Sequence, residues 1–146
     1  MKIGVISDTH GLLRPEAIER LTGVAHIIHA GDIGGAAVIE QLRALAPVTA
    51  IRGNNDPDTT YPEQIAIEFG GRTIFVLHDV KELTKHTGYD VVISGHSHKP
   101  KIETKDGVLY LNPGSAGPRR FKLPISVAIL EIDGETLAAE IHEIIP

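Results

Sequence analysis

The sequence predicts an α/β protein in which two mixed β-sheets pack together and helices cover their outer faces. In the first half, short apolar runs alternate with amphipathic segments in the order βαβαβ, which indicates parallel strands. In the second half, β-like runs flank Gly70-Gly71, Asp106-Gly107 and Asp133-Gly134, and such dipeptides favour antiparallel hairpins. Because the two halves predict different pairings, two mixed sheets are the arrangement that satisfies both.

The parallel half consists of three apolar strands and two helices with apolar residues at helical spacing. The strands are predicted over 2–7, 25–30 and 48–52, and the helices over 15–21 and 35–46. Pro15 lies in the first turn of the first helix, where a proline is tolerated, and Pro47 ends the second helix.

The antiparallel half is predicted to pair strands across each glycine turn. These strands cover 64–69 and 72–78 and the runs on either side of 106–107 and 133–134. A further strand over 90–94 follows a short helical or irregular segment at 81–87.

The composition predicts a single cytoplasmic domain over residues 1–146. A chain of 146 residues with 42% hydrophobic and 23% charged residues has the balance of one globular domain. The N-terminal apolar run is interrupted at Asp8, which is too early for a signal peptide, and no run is long enough to cross a membrane. The oligomeric state is left open, a homo-oligomer included.

The net charge and the absence of cysteine limit the binding partners and the metal ligands that the protein can have. The net charge of -5 argues against a general nucleic-acid or anionic-membrane surface, although it allows a local basic pocket. The chain has no cysteine, so a metal ion would be held by nitrogen and oxygen ligands.

Metal-binding side chains follow the predicted strands, at the point where each strand ends. Ligands in α/β sheets collect outside the carboxyl ends of the strands, so these side chains are expected to converge. A glycine, Gly31, Gly53 or Gly95, stands immediately before three of them and allows close backbone approach. The predicted metal ligands are Asp8, His10, Asp32, Asn54, His78, His96 and His98.

Seven ligands exceed the four that one tetrahedral zinc requires. They suit two ions that share one carboxylate, and Asp32 is the expected shared ligand because its strand lies between the others. Imidazole and carboxylate together favour Mn²⁺, Ni²⁺, Fe²⁺ or Zn²⁺. We expect two divalent ions, with Mn²⁺ as the first choice.

The ordered motifs resemble those of the calcineurin-like metallophosphoesterases, and more closely their small single-domain bacterial and archaeal phosphodiesterases. The matching stretches are SDTHG at 7–11, HAGD at 29–32, RGNND at 52–56, LHD at 77–79, SGHSH at 94–98 and NPGS at 112–115. The resemblance implies a four-layer αββα sandwich, which is one metallophosphoesterase domain over 1–146.

The resemblance also implies how the ligands divide between two metals. The first metal would be held by Asp8, His10, Asp32 and His98, and the second by Asp32, Asn54, His78 and His96. A water that bridges the metals would become the hydroxide nucleophile that hydrolyses a small phosphodiester substrate.

Two positions depart from the family pattern. Many relatives carry histidine where this chain has Asn55, and asparagine cannot donate a proton to a leaving group near neutral pH. Asn55 and the following Asp56 are therefore the candidate catalytic residues, with Asp56 acting indirectly. Asp79 stands where relatives usually carry glycine, and its carboxylate would either tighten metal binding or repel substrate.

Four further residues are candidates for substrate contact or for support of the metal ligands. They are Thr9, His29, Asn112 and Ser115. Solvated loop charges are the favoured interpretation of Arg119 and Arg120, with contact to a substrate phosphate as the alternative.

Other functions stay open at this point. One relative of this fold, the small retromer subunit of eukaryotes, resembles a non-catalytic interaction scaffold, and its metal site is altered. Retention of all seven ligand positions favours the enzyme. Phosphomonoesterase and nuclease activities are further alternatives, and neither nucleic acid nor a membrane is the expected partner.

Overall fold

The computed structural model describes residues 1–57, 60–84 and 88–145. In these ranges the chain forms ten strands, two α-helices and the 3₁₀-helix Val80–Glu82. The strands and α-helices, in chain order, are β1 Lys2–Ile6, α1 Pro15–Leu21, β2 His26–His29, α2 Ala36–Arg43, β3 Val48–Ala50, β4 Gln64–Phe69, β5 Arg72–Leu77, β6 Val91–Ile93, β7 Lys101–Lys105, β8 Val108–Asn112, β9 Ile125–Asp133 and β10 Thr136–Ile145.

Two five-stranded mixed sheets confirm the predicted architecture. The first sheet has the order β10-β9-β1-β2-β3, in which β1, β2 and β3 are parallel and the β9–β10 hairpin is antiparallel. The second sheet has the order β4-β5-β6-β8-β7, in which β5, β6 and β8 are parallel between antiparallel edge strands. Each of the three predicted glycine turns connects an antiparallel pair.

Several observed elements are shorter than their predicted bounds. Helix α2 covers Ala36–Arg43 instead of 35–46, and β3 ends at Ala50 instead of residue 52. Among the described residues, the second sheet carries only the 3₁₀-helix where a full helical layer was expected. The end of the predicted segment over 81–87 lies outside the described residues.

The main core lies between the two sheets. It combines residues of β1 and β9 with residues of β5, β6 and β8, among them Ile3, Ile74, Ile93, Leu111 and Leu130, each at most 1% exposed. Burial of each such side chain contributes about 1.5–3 kcal/mol of transfer free energy. The two sheets are therefore held face to face by apolar packing.

A second cluster packs α1 and α2 against the first sheet through Leu21, Ile27, Ile39 and Leu42. A smaller cluster covers part of the outer face of the second sheet. No helix in the described part of the chain is long and apolar enough to span a membrane.

The parallel strands of both sheets end at one edge of the sandwich. Backbone hydrogen bonds join the loops that follow them, including Asp8 N to Gly31 O at 3.0 Å within the first sheet. In the second sheet, Gly95 N donates to His78 O at 2.9 Å. Bonds between the sheets, His96 N to Asp8 Oδ2 at 3.1 Å and His78 Nδ1 to Ala30 O at 2.7 Å, bring the strand-end residues of both sheets into one site.

Candidate metal centre

Five of the seven predicted ligands converge at this edge. Asp8 Oδ1 lies 3.9 Å from His10 Nε2, 3.7 Å from His78 Nε2 and 3.5 Å from His98 Nε2. Asp32 Oδ2 lies 3.7 Å from His10 Nε2 and 3.3 Å from His78 Nε2. Two ligand groups result, one of Asp8, His10 and His98 and one of Asp8, Asp32 and His78.

Four buried polar atoms in this cluster have no hydrogen-bond partner among the residues that the structure describes. A buried polar atom without a partner costs about 1–3 kcal/mol, so such atoms are rare in folded proteins. The unpaired atoms of Asp8, His10 and His78 converge, which fits a site that binds cations because a metal ion would satisfy these three together. The four atoms are Asp8 Oδ1, His10 Nε2, His78 Nε2 and His98 Nδ1.

The backbone at most of the ligands adopts a strained conformation. Five of the seven predicted ligands have φ between 47° and 70°, in the left-handed region. Each costs on the order of 1–2 kcal/mol for a residue with a Cβ atom, and such strain concentrates at functional sites. The five residues are Asp8, His10, Asp32, His96 and His98.

His78 is oriented by a backbone carbonyl of the neighbouring sheet. Its Nδ1 donates to Ala30 O at 2.7 Å, which directs Nε2 toward Asp8 and Asp32. Burial alone would lower the pKa of His78, but the nearby Asp32 carboxylate and the hydrogen bond to Ala30 outweigh it and raise the pKa. The site therefore favours positive charge between the two carboxylates.

Asp8 is held through one oxygen so that the other stays available. Ser7 Oγ donates to Asp8 Oδ2 at 2.7 Å, and His96 N donates to the same oxygen at 3.1 Å. Burial raises the pKa of Asp8, but the nearby His98 imidazole and the hydrogen bond from Ser7 outweigh it and lower the pKa. Sequence reasoning missed Ser7, although a polar residue directly before the ligand in SDTHG was a usable signal.

Asp32 is anchored by the loop that follows β3. Asn55 N donates to Asp32 Oδ1 at 3.1 Å, and Asn55 Nδ2 lies 3.4 Å from Oδ2. Burial raises the pKa of Asp32, but the nearby His78 imidazole and the hydrogen bond from Asn55 outweigh it and lower the pKa to about 2. Asp32 is therefore an ionised carboxylate that is suited to a cation.

The other two predicted ligands lie at the rim. His96 is exposed, its ring centroid is 5.1 Å from that of His78, and its Nε2 is 3.8 Å from Asp79 Oδ2. Asn54 is exposed in the turn after β3. The candidate centre thus has a buried side with five gathered ligands and an open side where His96, Asp79 and Asn54 face solvent.

Gly95 allows the two sheets to approach at the centre. A Cβ atom at this position would overlap Ser7 Oγ and would lie 2.6 Å from Asp8 Oδ2. The residue before His96 must therefore lack a side chain, as the SGHSH motif predicted. Gly53 has the same role on the opposite side, against Asp32.

Asn112 and Ser115 support the loops that carry the ligands. Asn112 Nδ2 donates to Gly95 O at 2.9 Å, and Ser115 Oγ donates to Asp8 O at 3.1 Å. Both side chains are buried, with 7% and 2% exposure respectively. In this structure they contact the backbone beside the ligands.

Thr9 and His29 form a buried pair below the centre. His29 Nδ1 accepts from Gly31 N at 3.1 Å, so its Nε2 carries the proton and donates to Thr9 Oγ1 at 3.0 Å. Thr9 Oγ1 in turn donates to Ile33 O at 2.7 Å. Complete burial lowers the pKa of His29 to about 4, so this imidazole is neutral near pH 7.

His29 is expected to make the protein less stable in mild acid. Its pKa is about 4 in the folded state against 6.5 when unperturbed, so only the unfolded chain binds this proton between those values. Stability from His29 is complete above pH 6.5 and declines toward pH 4. Between pH 7 and pH 5, the contribution of His29 to the free energy of unfolding falls by about 2 kcal/mol.

Denaturant unfolding of a His29→Gln variant at pH 7 and pH 5 tests this expectation. The variant should lose about 2 kcal/mol less than the native chain between the two pH values. His142→Gln, at a half-buried position on β10, serves as the control. Equal pH dependence in the native chain and in His29→Gln would contradict it.

The fold and this set of ligands define the class of protein. The chain belongs to the calcineurin-like phosphoesterase superfamily, whose domain matches residues 1–135. It is accordingly a metal-dependent phosphoester hydrolase, as the motifs predicted.

Individual relatives agree with this assignment. The chain is 37% identical to a probable metallophosphoesterase of Methanothermobacter thermautotrophicus, over 97% of this chain and 91% of the relative. An archaeal phosphodiesterase of known structure is 28% identical, with a TM-score of 0.78 over 97% of this chain and 100% of that chain. Vps29 of Entamoeba histolytica in complex with zinc shares the fold, with a TM-score of 0.77, 23% identity and coverage of 99% of both chains.

Proposed function

We propose that the protein hydrolyses small phosphodiesters with two divalent cations, Mn²⁺ being the expected metal. The first cation is assigned to Asp8, His10, Asp32 and His98, and the second to Asp32, Asn54, His78 and His96. The convergence of unpaired buried ligand atoms in two overlapping groups carries this proposal. The phosphodiesterase name of the structural relative supports the diester as substrate.

Asp32 is placed to serve both cations. Its Oδ2 lies between His10 Nε2, assigned to the first cation, and His78 Nε2, assigned to the second. Asp8 Oδ1 approaches histidines of both sets as well, which keeps the two positions close together. When bound, the two cations would lower the pKa of a coordinated water and would offset charge on phosphoryl oxygens.

The protein's own contribution is orientation of the substrate and of the ligands. Asn55 is exposed at the rim, and its backbone N–H is committed to Asp32. Its side-chain amide also donates to Asp32 Oδ2 at 3.4 Å, and we assign the second N–H of that amide to a hydrogen bond with a phosphoryl oxygen. Because an amide cannot supply a proton, the enzyme should act on diesters whose leaving groups depart without one.

Asp56 shapes the rim and is assigned a positioning role. Its carboxylate accepts backbone hydrogen bonds from Ile33, Gly34 and Gly53 at 2.9–3.2 Å. These bonds join the loop after β2 to the loop after β3, which carry Asp32 and Asn54. Asp56 therefore acts on the reaction through the ligands that these loops hold.

The interaction scaffold is the alternative from another class. A scaffold does not need strained backbone or unpaired polar atoms in one cluster. Here five predicted ligands are gathered although the cluster contains both. The fold shared with Vps29 is compatible with either function. The geometry of the centre favours hydrolysis.

Metal removal and replacement test the proposed function. Protein treated with a chelator should lose hydrolysis of bis(p-nitrophenyl) phosphate and should regain it with Mn²⁺, in a panel that includes Ni²⁺, Zn²⁺ and Mg²⁺. Elemental analysis should give two ions per chain. Mn²⁺ at one hundred times its dissociation constant should raise the free energy of unfolding by about 2.7 kcal/mol for each site.

Two results would contradict the proposal. Hydrolysis that persists unchanged after complete metal removal would exclude a metal mechanism. Failure of every cation in the panel to support diester hydrolysis, with bound metal demonstrated, would favour the scaffold.

A further inference from the structure

A groove of about 1460 Å³ begins at the candidate metal centre and extends over the outer face of the second sheet. Its inner end is formed by Asp79, His96 and Asn112. One side is strand β7, and the other is the loop segment 120–123. The groove is therefore continuous with the rim at which a substrate would enter.

The register of β7 gives the groove a direction. Lys101 pairs with Asn112 at the metal-centre end of β8, and Lys105 pairs with Val108 at the far end. Residues 101, 103 and 105 share one face of the strand, with about 6.6 Å between successive positions. Lys105 is therefore farther from the candidate metal centre than Lys101 is.

The groove concentrates positive charge in a chain whose net charge is -5. Its lining contains two carboxylates, and one of them, Glu103, is paired with Lys101 at 2.6 Å. The local excess of cations attracts a ligand with several negative charges. The six basic side chains of the lining are Lys81, Lys99, Lys101, Lys105, Arg120 and Lys122.

An aromatic side chain stands free at the edge of this charged surface. Phe121 is 88% exposed and has φ of 55°, which is an outlier for a bulky residue. Tyr110, half-buried on β8, is a second aromatic residue of the lining. A basic groove with accessible aromatic rings is the surface on which single-stranded nucleic acids bind, through phosphates and stacked bases.

We propose that this groove binds a single-stranded oligonucleotide and directs one of its phosphodiesters to the metal centre. The proposal rests on the proposed function, since it names the substrate class of the same site. Lys105 at the far end of β7 and Lys122 in the facing segment contact phosphates, and a base stacks on Phe121. An acidic peptide would pair with the lysines but would make no stacking contact with the Phe121 ring.

Binding is measured by fluorescence anisotropy with an end-labelled octathymidylate and chelator-treated protein, so that cleavage does not interfere. Phe121→Ala should weaken binding at least about 5-fold through lost stacking. Lys105→Gln should weaken binding and reduce the slope of log K against log salt by about 0.7. Arg43→Gln, at an exposed position of helix α2, is the matched charge control and should bind like the native chain.

Competition identifies the ligand class. Excess unlabelled octathymidylate should displace the probe, whereas polyglutamate of equal charge should not. Displacement by polyglutamate at the same concentration, or native affinity in both Phe121→Ala and Lys105→Gln, would overturn the proposal.

Cleavage distinguishes failure of the groove from failure of the proposed function. With Mn²⁺, kcat/KM for the octanucleotide should exceed that for the dinucleotide at least about 10-fold, and Lys105→Gln should lower only the octanucleotide value. Equal values for both lengths, with bis(p-nitrophenyl) phosphate still hydrolysed, would overturn the groove alone. Absence of all hydrolysis would overturn the proposed function, and the anisotropy result would then decide the groove.

Discussion

Replacing Asp32 by asparagine is expected to lower kcat/KM for bis(p-nitrophenyl) phosphate by at least about 10³-fold. Asp32 Oδ2 lies 3.3 Å from His78 Nε2 and 3.7 Å from His10 Nε2, so its charge acts on both assigned cation positions. Asparagine preserves the shape of the side chain but removes that charge. The substitution should therefore remove metal and activity while the fold is retained.

Metal content and turnover of Asp32→Asn are measured together by elemental analysis and steady-state kinetics. Asp106→Asn is a closely matched control, because Asp106 has φ of 52° against 56° at Asp32 but lies in the β7–β8 turn. The control should keep native turnover of this small substrate. Native activity and two bound ions in Asp32→Asn would show that Asp32 is not a shared ligand.

Alanine at Gly53 is expected to reduce activity at least about 100-fold, because a displacement of about 1 Å at a catalytic centre has effects of that size. The new Cβ atom would overlap Asp32 Oδ1 and Asp32 N, and it would lie 2.7 Å from Asp32 Cγ. Asp32 would have to move away from the position it shares between the histidines. The free energy of unfolding should also fall by about 1–3 kcal/mol through overpacking.

Gly23→Ala separates these effects from a general cost of replacing glycine. Gly23 has φ of 94°, and an added Cβ there meets nothing within 4 Å. This control should lose about 1–2 kcal/mol of stability through backbone strain and should keep native turnover. Equal turnover in Gly53→Ala and Gly23→Ala would contradict the close approach of Gly53 to Asp32 as a requirement for activity.

The strand-end residues could be identified from the sequence because they combine two signals. An apolar run predicts a buried strand, and Asp8 or His78 directly after such a run must lie at a sheet edge. The glycines beside them added a third signal, since the close approach of backbone at Gly53 and Gly95 is confirmed in the structure. Local pattern thus carried most of the candidate site.

Other features could not be predicted because they depend on residues distant in the chain. The Ala30 carbonyl orients His78 across 48 positions, and Ser115 reaches the Asp8 backbone across 107 positions. The pairing of β9 with β1, which inserts the C-terminal hairpin into the first sheet, is of the same kind. Sequence periodicity indicates where strands lie along the chain, but it does not indicate which strands become neighbours in a sheet.

The sequence by itself determined that this protein has two mixed sheets, that its predicted metal ligands follow the strands, and that these ligands are nitrogen and oxygen donors. Only the tertiary structure decided that five ligands are gathered while His96 and Asn54 lie at the rim. It also decided that Lys101, Lys105 and Phe121 border one groove at that rim. The physical reason is that strand periodicity and ligand chemistry are local properties, whereas the spacing of charges and burial follows from how the two sheets pack.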